Sequence, residues 1–309
     1  MLSKIRVSYG TAIVLGLQKA KQDIPPTTAY LLWDSGCIGS CSFCPRANGN
    51  AKSAKLSRIL WPEFSTDEVF IRLSAKPFLF ERVCLQTGYN PKTEEQLEEL
   101  VLKFISIGIK TSMTLSPGQP EFAIKMLSKG VDHVGIGLDG ATKKSYTLHK
   151  RRNWDTDWSS LKTLLEKVGK QIEVHLIFGL GDTEEEFCKT ISEIISRSGK
   201  ISLFALTPVN GGKAPNMNAY RRVQLFRYLC ENKKLAYEDC TFQLGKLTSI
   251  GIEKSLIKDT IDQGNAFRTS GCGNCNRPYY NERPGQEFYN FPRKLNECEI
   301  ESCLQELDL

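Results

Sequence analysis

Hydrophobic positions along this chain come in two alternating rhythms. Short, densely apolar runs lie at residues 30–33, 82–86, 109–115, 131–138, 173–177 and 201–206. Between them lie longer stretches with apolar residues every three or four positions, at 93–107, 120–128, 157–168 and 183–198. The first rhythm predicts buried strands and the second predicts helices with one apolar face. Thr93 and Thr183 stand at helix starts, with Gln96 and Glu186 three residues on, which predicts two capping boxes. Six β-α units in succession predict an α/β fold with a parallel sheet and outer helices. With six units it is a partial (β/α)6 TIM-type barrel rather than a closed eight-stranded one. The chain then divides into an N-terminal helical segment (1–29), the barrel (30–235) and a mostly irregular C-terminal extension (236–309). A loop at 207–212 leads into the last barrel helix at 217–230. Beyond it the periodicity weakens and Gly, Asn, Pro and Tyr accumulate.

With 309 residues, 40% of them hydrophobic, the chain can bury a large core. No apolar run approaches the length of a membrane span. Lys4 and Arg6 precede a short apolar stretch broken by Gly10 and Gly16, with no small-residue cleavage site. That reads as an amphipathic helix rather than a signal peptide. The expected location is therefore cytoplasmic, where the eleven cysteines stay reduced and available to metal. The formal charge of +6 is modest, and no basic block is dense enough for nucleic acid.

Candidate chemistry concentrates in Cys37-Ile38-Gly39-Ser40-Cys41-Ser42-Phe43-Cys44. Three thiolates at C-x3-C-x2-C can hold three corners of a [4Fe–4S] cluster and leave the fourth iron open to a small molecule. That arrangement suits radical chemistry with S-adenosylmethionine (SAM). Zinc would want a fourth ligand, and the spacing is too tight for mutual disulfides. The triplet follows the first strand directly, so it falls at the C-terminal face of the barrel, where barrel chemistry sits. In the tail, Cys272 and Cys275 form a C-x2-C in a Gly-rich turn, and Cys298 and Cys303 follow. These four could hold a second iron–sulfur cluster or a structural zinc. Cys84, Cys188, Cys230 and Cys240 read as packing residues.

With these motifs in this order, the chain resembles the radical SAM superfamily. The resemblance implies that Phe43 packs near the adenine of SAM. It also implies that Thr87 and Gly88 of Gln86-Thr87-Gly88 present backbone to its amino group. The usual Gly-Gly-Glu is absent at that place. It further implies that Asp139, at the end of the fourth strand, takes the ribose hydroxyls, and that Ile177 and Gly179 flank the adenine. Arg152 could hold the SAM carboxylate, or be one of a solvated surface pair with Arg151. His149 and His175 read as polar linkers or merely satisfied histidines, and neither as a general base.

Within the superfamily the chain looks similar to biotin synthase, at Cys84-Leu85-Gln86 and Met113-Thr114-Leu115. Biotin synthase keeps a second cluster inside its barrel on cysteines of strands two, three and five. Here Ser112 and Glu173-Val174 stand at two of those places, so only Cys84 remains. A barrel without that cysteine set, carrying tail cysteines, resembles the two-protein lipoyl synthase of archaea and some bacteria. The segments 277–284 and 5–10 are similar to that group. The resemblance implies an auxiliary cluster on Cys272, Cys275, Cys298 and Cys303 as sulfur donor. It also implies an octanoylated lipoyl carrier protein as substrate, a second radical SAM protein as partner and an electron donor. Two alternatives stand beside it. One is a biotin synthase-related enzyme with another substrate, whose tail cluster relays electrons or binds substrate. The other is a non-catalytic iron–sulfur partner subunit.

Overall fold

The computed structural model describes residues 4–34, 36–47, 50, 53–208 and 213–309. Six parallel strands form its centre: β1 (Thr28–Trp33), β2 (Arg82–Thr87), β3 (Lys110–Leu115), β4 (His133–Asp139), β5 (Ile172–Phe178) and β6 (Lys200–Ala205). Each pairs in parallel with the next in sequence. This is the expected α/β fold with a mostly parallel sheet, curved as a partial TIM-type barrel. Helices Glu94–Ile105, Pro120–Ser128, Trp154–Val168, Glu184–Ser196 and Met217–Glu231 cover its outside. The predicted loop at 207–212 lies partly outside the described residues.

The strand alternation explains which way the sheet faces. Ala29, Leu31, Trp33, Val83, Leu85, Met113, Val134, Ile136, Val174, Leu176, Ile201 and Leu203 all belong to one continuous core beneath the helices. Burying each such aliphatic side chain is worth about 1.5–3 kcal/mol. Successive strand residues point to opposite faces, so the intervening ones turn inward. Tyr30, Leu32 and Cys84 form a separate inner cluster with Trp61.

Three expectations need correction. Residues 4–7, within the segment expected to be helical, form a strand (Lys4–Val7) antiparallel to β1 and to the edge strand Glu63–Ser65. Among the described residues there, only Tyr9–Val14 is helical. Alternation in the four residues Lys-Ile-Arg-Val buries Ile5 and Val7, and four residues are the shortest run in which a strand period can show. The capping box at Thr183–Glu186 is present, but Thr93 makes no cap bond. A 3₁₀ turn precedes that helix, and the Thr93 hydroxyl donates to the Asn90 carbonyl instead, at 2.8 Å.

The third correction concerns the tail, which is part of the barrel rather than an appendage. The open edge of β6 donates Leu203 N–H to Ser270 Oγ (2.8 Å), and Asn281 Nδ2 donates to the Ala205 carbonyl (2.6 Å). On the far side Thr27 N–H, just before β1, donates to Asn276 Oδ1 (3.0 Å). The segment 270–281 thus bridges the gap between the first and last parallel strands and satisfies an edge that would otherwise be raw. Helix Met217–Glu231 anchors it with buried cations. Arg221 bonds Glu306 and the Phe288 and Tyr289 carbonyls, while Arg222 grips Glu184 through two bonds of 2.8 and 2.7 Å. The tail also carries the hairpin Thr241–Gln243/Lys246–Ser249 and the helix Glu297–Leu307. No helix among the described residues is long and apolar enough to cross a membrane.

Candidate active site

Cys37, Cys41 and Cys44 sit on the loop after β1, and all three line a cavity of ≈ 240 Å³ at the C-terminal ends of the strands. The loop is pinned from both sides. Ile38 N–H donates to the Tyr89 carbonyl beyond β2 (2.9 Å), and Ser42 N–H donates to the His149 carbonyl beyond β4 (2.8 Å). His149 also bonds the Ser42 hydroxyl through Nδ1 at 2.8 Å, so it acts as a linker. Gly88 is required by close approach, since a Cβ there would stand 2.7 Å from Cys37 Cβ. Burial pushes the Cys41 thiol up and the Cys44 thiol up to about 11, so these cysteines are held as thiols until a metal displaces their protons. Three sulfurs on one cavity wall, with the open cavity before them, fit a cluster bound at three corners. No His, Cys, Asp or Glu group among the described residues, this triplet included, is drawn together as a single-ion site.

Asp139 shows how the strand end builds the opposite wall. It takes a left-handed φ of 68° next to a register shift in β4. A non-glycine residue held there is strained, a state that needs support from its surroundings. The support is Lys150, whose Nζ pairs with the Asp139 carboxylate and donates to the Gly137 carbonyl (2.8 Å). Lys150 comes from the single π-helical turn Tyr146–Lys150. Burial pulls its ammonium down, but Asp139 and Cys41 outweigh that and raise it. Sequence reading passed over Lys150. The basic run 150–152 after the fourth strand is the signal that marks it.

The remaining expected residues separate. Phe43, Thr87, Gly88, Asp139, Arg152 and Ile177 line the cavity. Arg152 is no solvated surface residue: its Nε and Nη2 bond Asp157 at 2.7 and 2.8 Å, and its guanidinium lies 4.1 Å from the Tyr89 ring centre. Thr87 spends its N–H and hydroxyl on Thr114. Gly179, with φ of +112°, turns the chain beyond β5 against Leu206 and Pro215, off the cavity wall.

The four tail cysteines do not converge. Cys298 is exposed, and Cys303 is buried in the outer core near Arg221. Both lie on helix Glu297–Leu307, where five residues turn about 140°, so the two thiols point to different faces. Cys272 and Cys275 lie on the inward tail turn beside Cys84. Cys188 and Cys230 are core residues as expected.

A family model described as the Radical SAM superfamily matches residues 34–194. Among curated proteins, biotin synthase of Histophilus somni (strain 129Pt) is 22% identical over 173 residues, 56% of this chain and 52% of that protein. Biotin synthase of Delftia acidovorans is 26% identical over 164 residues, 52% and 45% respectively. The chain thus spans about half the length of these relatives. Among solved structures, Streptococcus suis SuiB aligns with a TM-score of 0.52 at 19% identity, over 68% of this chain and 48% of that one. Methylornithine synthase (PylB) aligns with 0.52 at 15%, over 68% and 63%. These structural likenesses concern the fold alone.

Proposed function

The chain belongs to the radical SAM superfamily, and from that premise we propose that it inserts sulfur into an unactivated carbon–hydrogen bond. The proposed substrate is an octanoyl chain on a lipoyl carrier protein, met together with a second radical SAM protein and an electron donor. The observation that carries the reading is that the cavity fronted by Cys37, Cys41 and Cys44 is floored by the side chains that cover Cys84 and Cys275. When bound, the cluster and SAM supply a 5′-deoxyadenosyl radical, which takes hydrogen from carbon, and an auxiliary cluster supplies the sulfur.

This chain's own residues bind, orient and exclude water. Phe43 and Ile177 offer apolar faces to a flat base, and Thr87 and Gly88 offer backbone. Asp139 offers a buried carboxylate to two neighbouring hydroxyls, with Lys150 holding its charge. Arg152, stiffened by Asp157 and Tyr89, offers a guanidinium on the cavity wall to a carboxylate. Leu32, Leu115, Ile177, Phe204 and Leu206 make an apolar passage suited to an aliphatic chain. Support for the octanoyl carrier itself comes from the resemblance of segments 277–284 and 5–10. In this structure 277–281 reaches from the barrel floor to the cavity mouth: Arg277 N–H donates to Tyr30 Oη (2.9 Å), and the Tyr280 carbonyl accepts from Ser57 Oγ (2.8 Å).

The test is anaerobic turnover of the reconstituted chain with octanoylated carrier protein, with and without a second radical SAM protein, read by mass spectrometry. A mass gain of sulfur on the carrier is expected. Formation of 5′-deoxyadenosine with no gain under any pairing would reject the substrate and keep the SAM chemistry. No 5′-deoxyadenosine under any condition would favour a non-catalytic subunit.

A further inference from the structure

We propose that Cys84, Cys272 and Cys275 hold a second iron–sulfur cluster inside the barrel, below the SAM cavity, with Glu173 as the fourth ligand and Arg82 as the counter-charge. Its role as sulfur donor rests on the function proposed above; its existence as a site does not.

The three thiols are brought together by the fold. Cys84 points inward from β2 and packs with Tyr30 and Leu32, and Cys275 joins the same cluster from the tail turn. Cys275 Sγ lies 3.2 Å from Tyr30 Oη, and Cys84 Sγ accepts from Gln86 Nε2 at 3.0 Å. Cys272 lies within electrostatic reach of both Cys84 and Cys275. The turn that carries them is driven into the barrel floor. Gly271 has φ of +113°, and a Cβ on it would stand 2.1 Å from Ser202 Oγ and 3.0 Å from Glu173 Oε2. Only glycine admits so close an approach with that backbone.

Three cysteines could be buried simply as small apolar residues. Their surroundings argue otherwise. Arg82 and Glu173 are 4% and 1% exposed, yet Arg82 Nε and Nη1 and Glu173 Oε1 have no hydrogen-bond partner. Buried polar atoms are normally satisfied, and one left over calls for a missing partner. Glu173 is the charged group that Cys272 feels most strongly, and Arg82 also acts on Cys84, Cys272 and Cys275. A cluster on three thiolates and a carboxylate is anionic. It would give Glu173 Oε1 a metal and the Arg82 N–H groups sulfur acceptors, which satisfies these three atoms together.

The location also suits transfer. Gln86 and Leu32 line the SAM cavity from the same strands that present Cys84 and Tyr30 below it, and Tyr280 touches both levels. A sulfide here would face the inner end of the cavity, opposite the rim that holds Cys37, Cys41 and Cys44.

The test uses the full chain, reconstituted anaerobically with iron and sulfide, in a background that lacks the first cluster (Cys37→Ala/Cys41→Ala/Cys44→Ala). This background is expected to keep the iron and acid-labile sulfide of one cluster. Adding Cys84→Ser, or Cys272→Ser with Cys275→Ser, is expected to remove both, while Cys298→Ala with Cys303→Ala keeps them. Circular dichroism checks that each variant folds. Glu173→Gln should change the cluster's paramagnetic resonance spectrum after reduction. Loss of all iron in the background variant, or retention in Cys84→Ser, would overturn the site. Zinc bound without sulfide would overturn the cluster. In the wild-type chain, a cluster that loads as expected but whose sulfide count is unchanged after turnover would keep the site and reject the donor role.

Discussion

The rim and the floor of this barrel each gather three cysteines, by opposite means. At the rim, eight consecutive residues carry Cys37, Cys41 and Cys44 on one loop, and the barrel needs only to pin that loop through Ile38, Ser42 and Gly88. At the floor, one cysteine comes from a strand and two from a turn near the end of the chain, and they meet only because the tail closes the sheet. The rim faces an open cavity, as a site that exchanges SAM must. The floor thiols sit behind Tyr30, Leu32 and Tyr280, with Cys84 buried and Cys272 and Cys275 partly exposed. A local motif can be read and can be mutated without disturbing the fold. A site assembled from distant segments reports on the fold as much as on its own chemistry.

The sharpest way to break the comparison is to remove thiols from each level in turn. Cys41→Ala should abolish 5′-deoxyadenosine formation, a loss of several orders of magnitude, because a radical reaction without its cluster has no fallback. Cys272→Ala with Cys275→Ala should keep reductive SAM cleavage and lose only the sulfur-bearing product. If both variants lost SAM cleavage equally while still folded, the two levels would be one site.

The glycines sharpen it next. Gly88→Ala should cut SAM cleavage at least tenfold with little change in melting temperature, since the clash moves a loop rather than the core. Gly271→Ala should do the reverse. Forcing a Cβ against Ser202 in a left-handed backbone costs about 1–3 kcal/mol, or roughly 2–4 °C or more for a domain of this size. Thermal unfolding of the two variants side by side decides the matter.

Asp139→Ala should weaken SAM binding by roughly 1–3 kcal/mol, the cost of leaving buried polar groups unpaired. Its Lys150 partner would then be stranded. Calorimetric titration with SAM measures the loss, and an unchanged affinity would remove Asp139 from the site.

The smallest effect separates the levels by pH. His175 lies on the cavity wall between them, and burial, with Arg277 and Lys150, pushes its imidazole down to about 3. Its folded form stays neutral while the unfolded chain takes up a proton below about pH 6.5. Stability should therefore fall as pH drops from that point toward 3, and be unaffected above it. His175→Gln should flatten part of that slope in melting temperature against pH.

The strand and helix pattern was legible because barrel units are local. Each strand carries apolar residues on the side that packs beneath the helices, and each helix shows its period within its own fifteen residues or fewer. The C-x3-C-x2-C triplet was legible for the same reason. The capping box at Thr183 was too, while the one at Thr93 failed because a preceding 3₁₀ turn drew its hydroxyl away. Helix Met217–Glu231 is rich in Arg and looks solvent-facing. Only the tail's carbonyls, with the Glu184 carboxylate, show why Arg221, Arg222 and Arg227 are buried.

By itself, then, the sequence determined the α/β barrel, its family and the three thiolates at its rim, because those rest on periodicity and on spacing within a single loop. The tertiary structure decided the partners of the remaining cysteines. It separated Cys298 and Cys303 by the turn of a helix and brought Cys272 and Cys275 to Cys84. That pairing depends on which sheet edge the tail fills, and on a glycine letting it enter, and contacts between segments so far apart in the chain leave no local period to read.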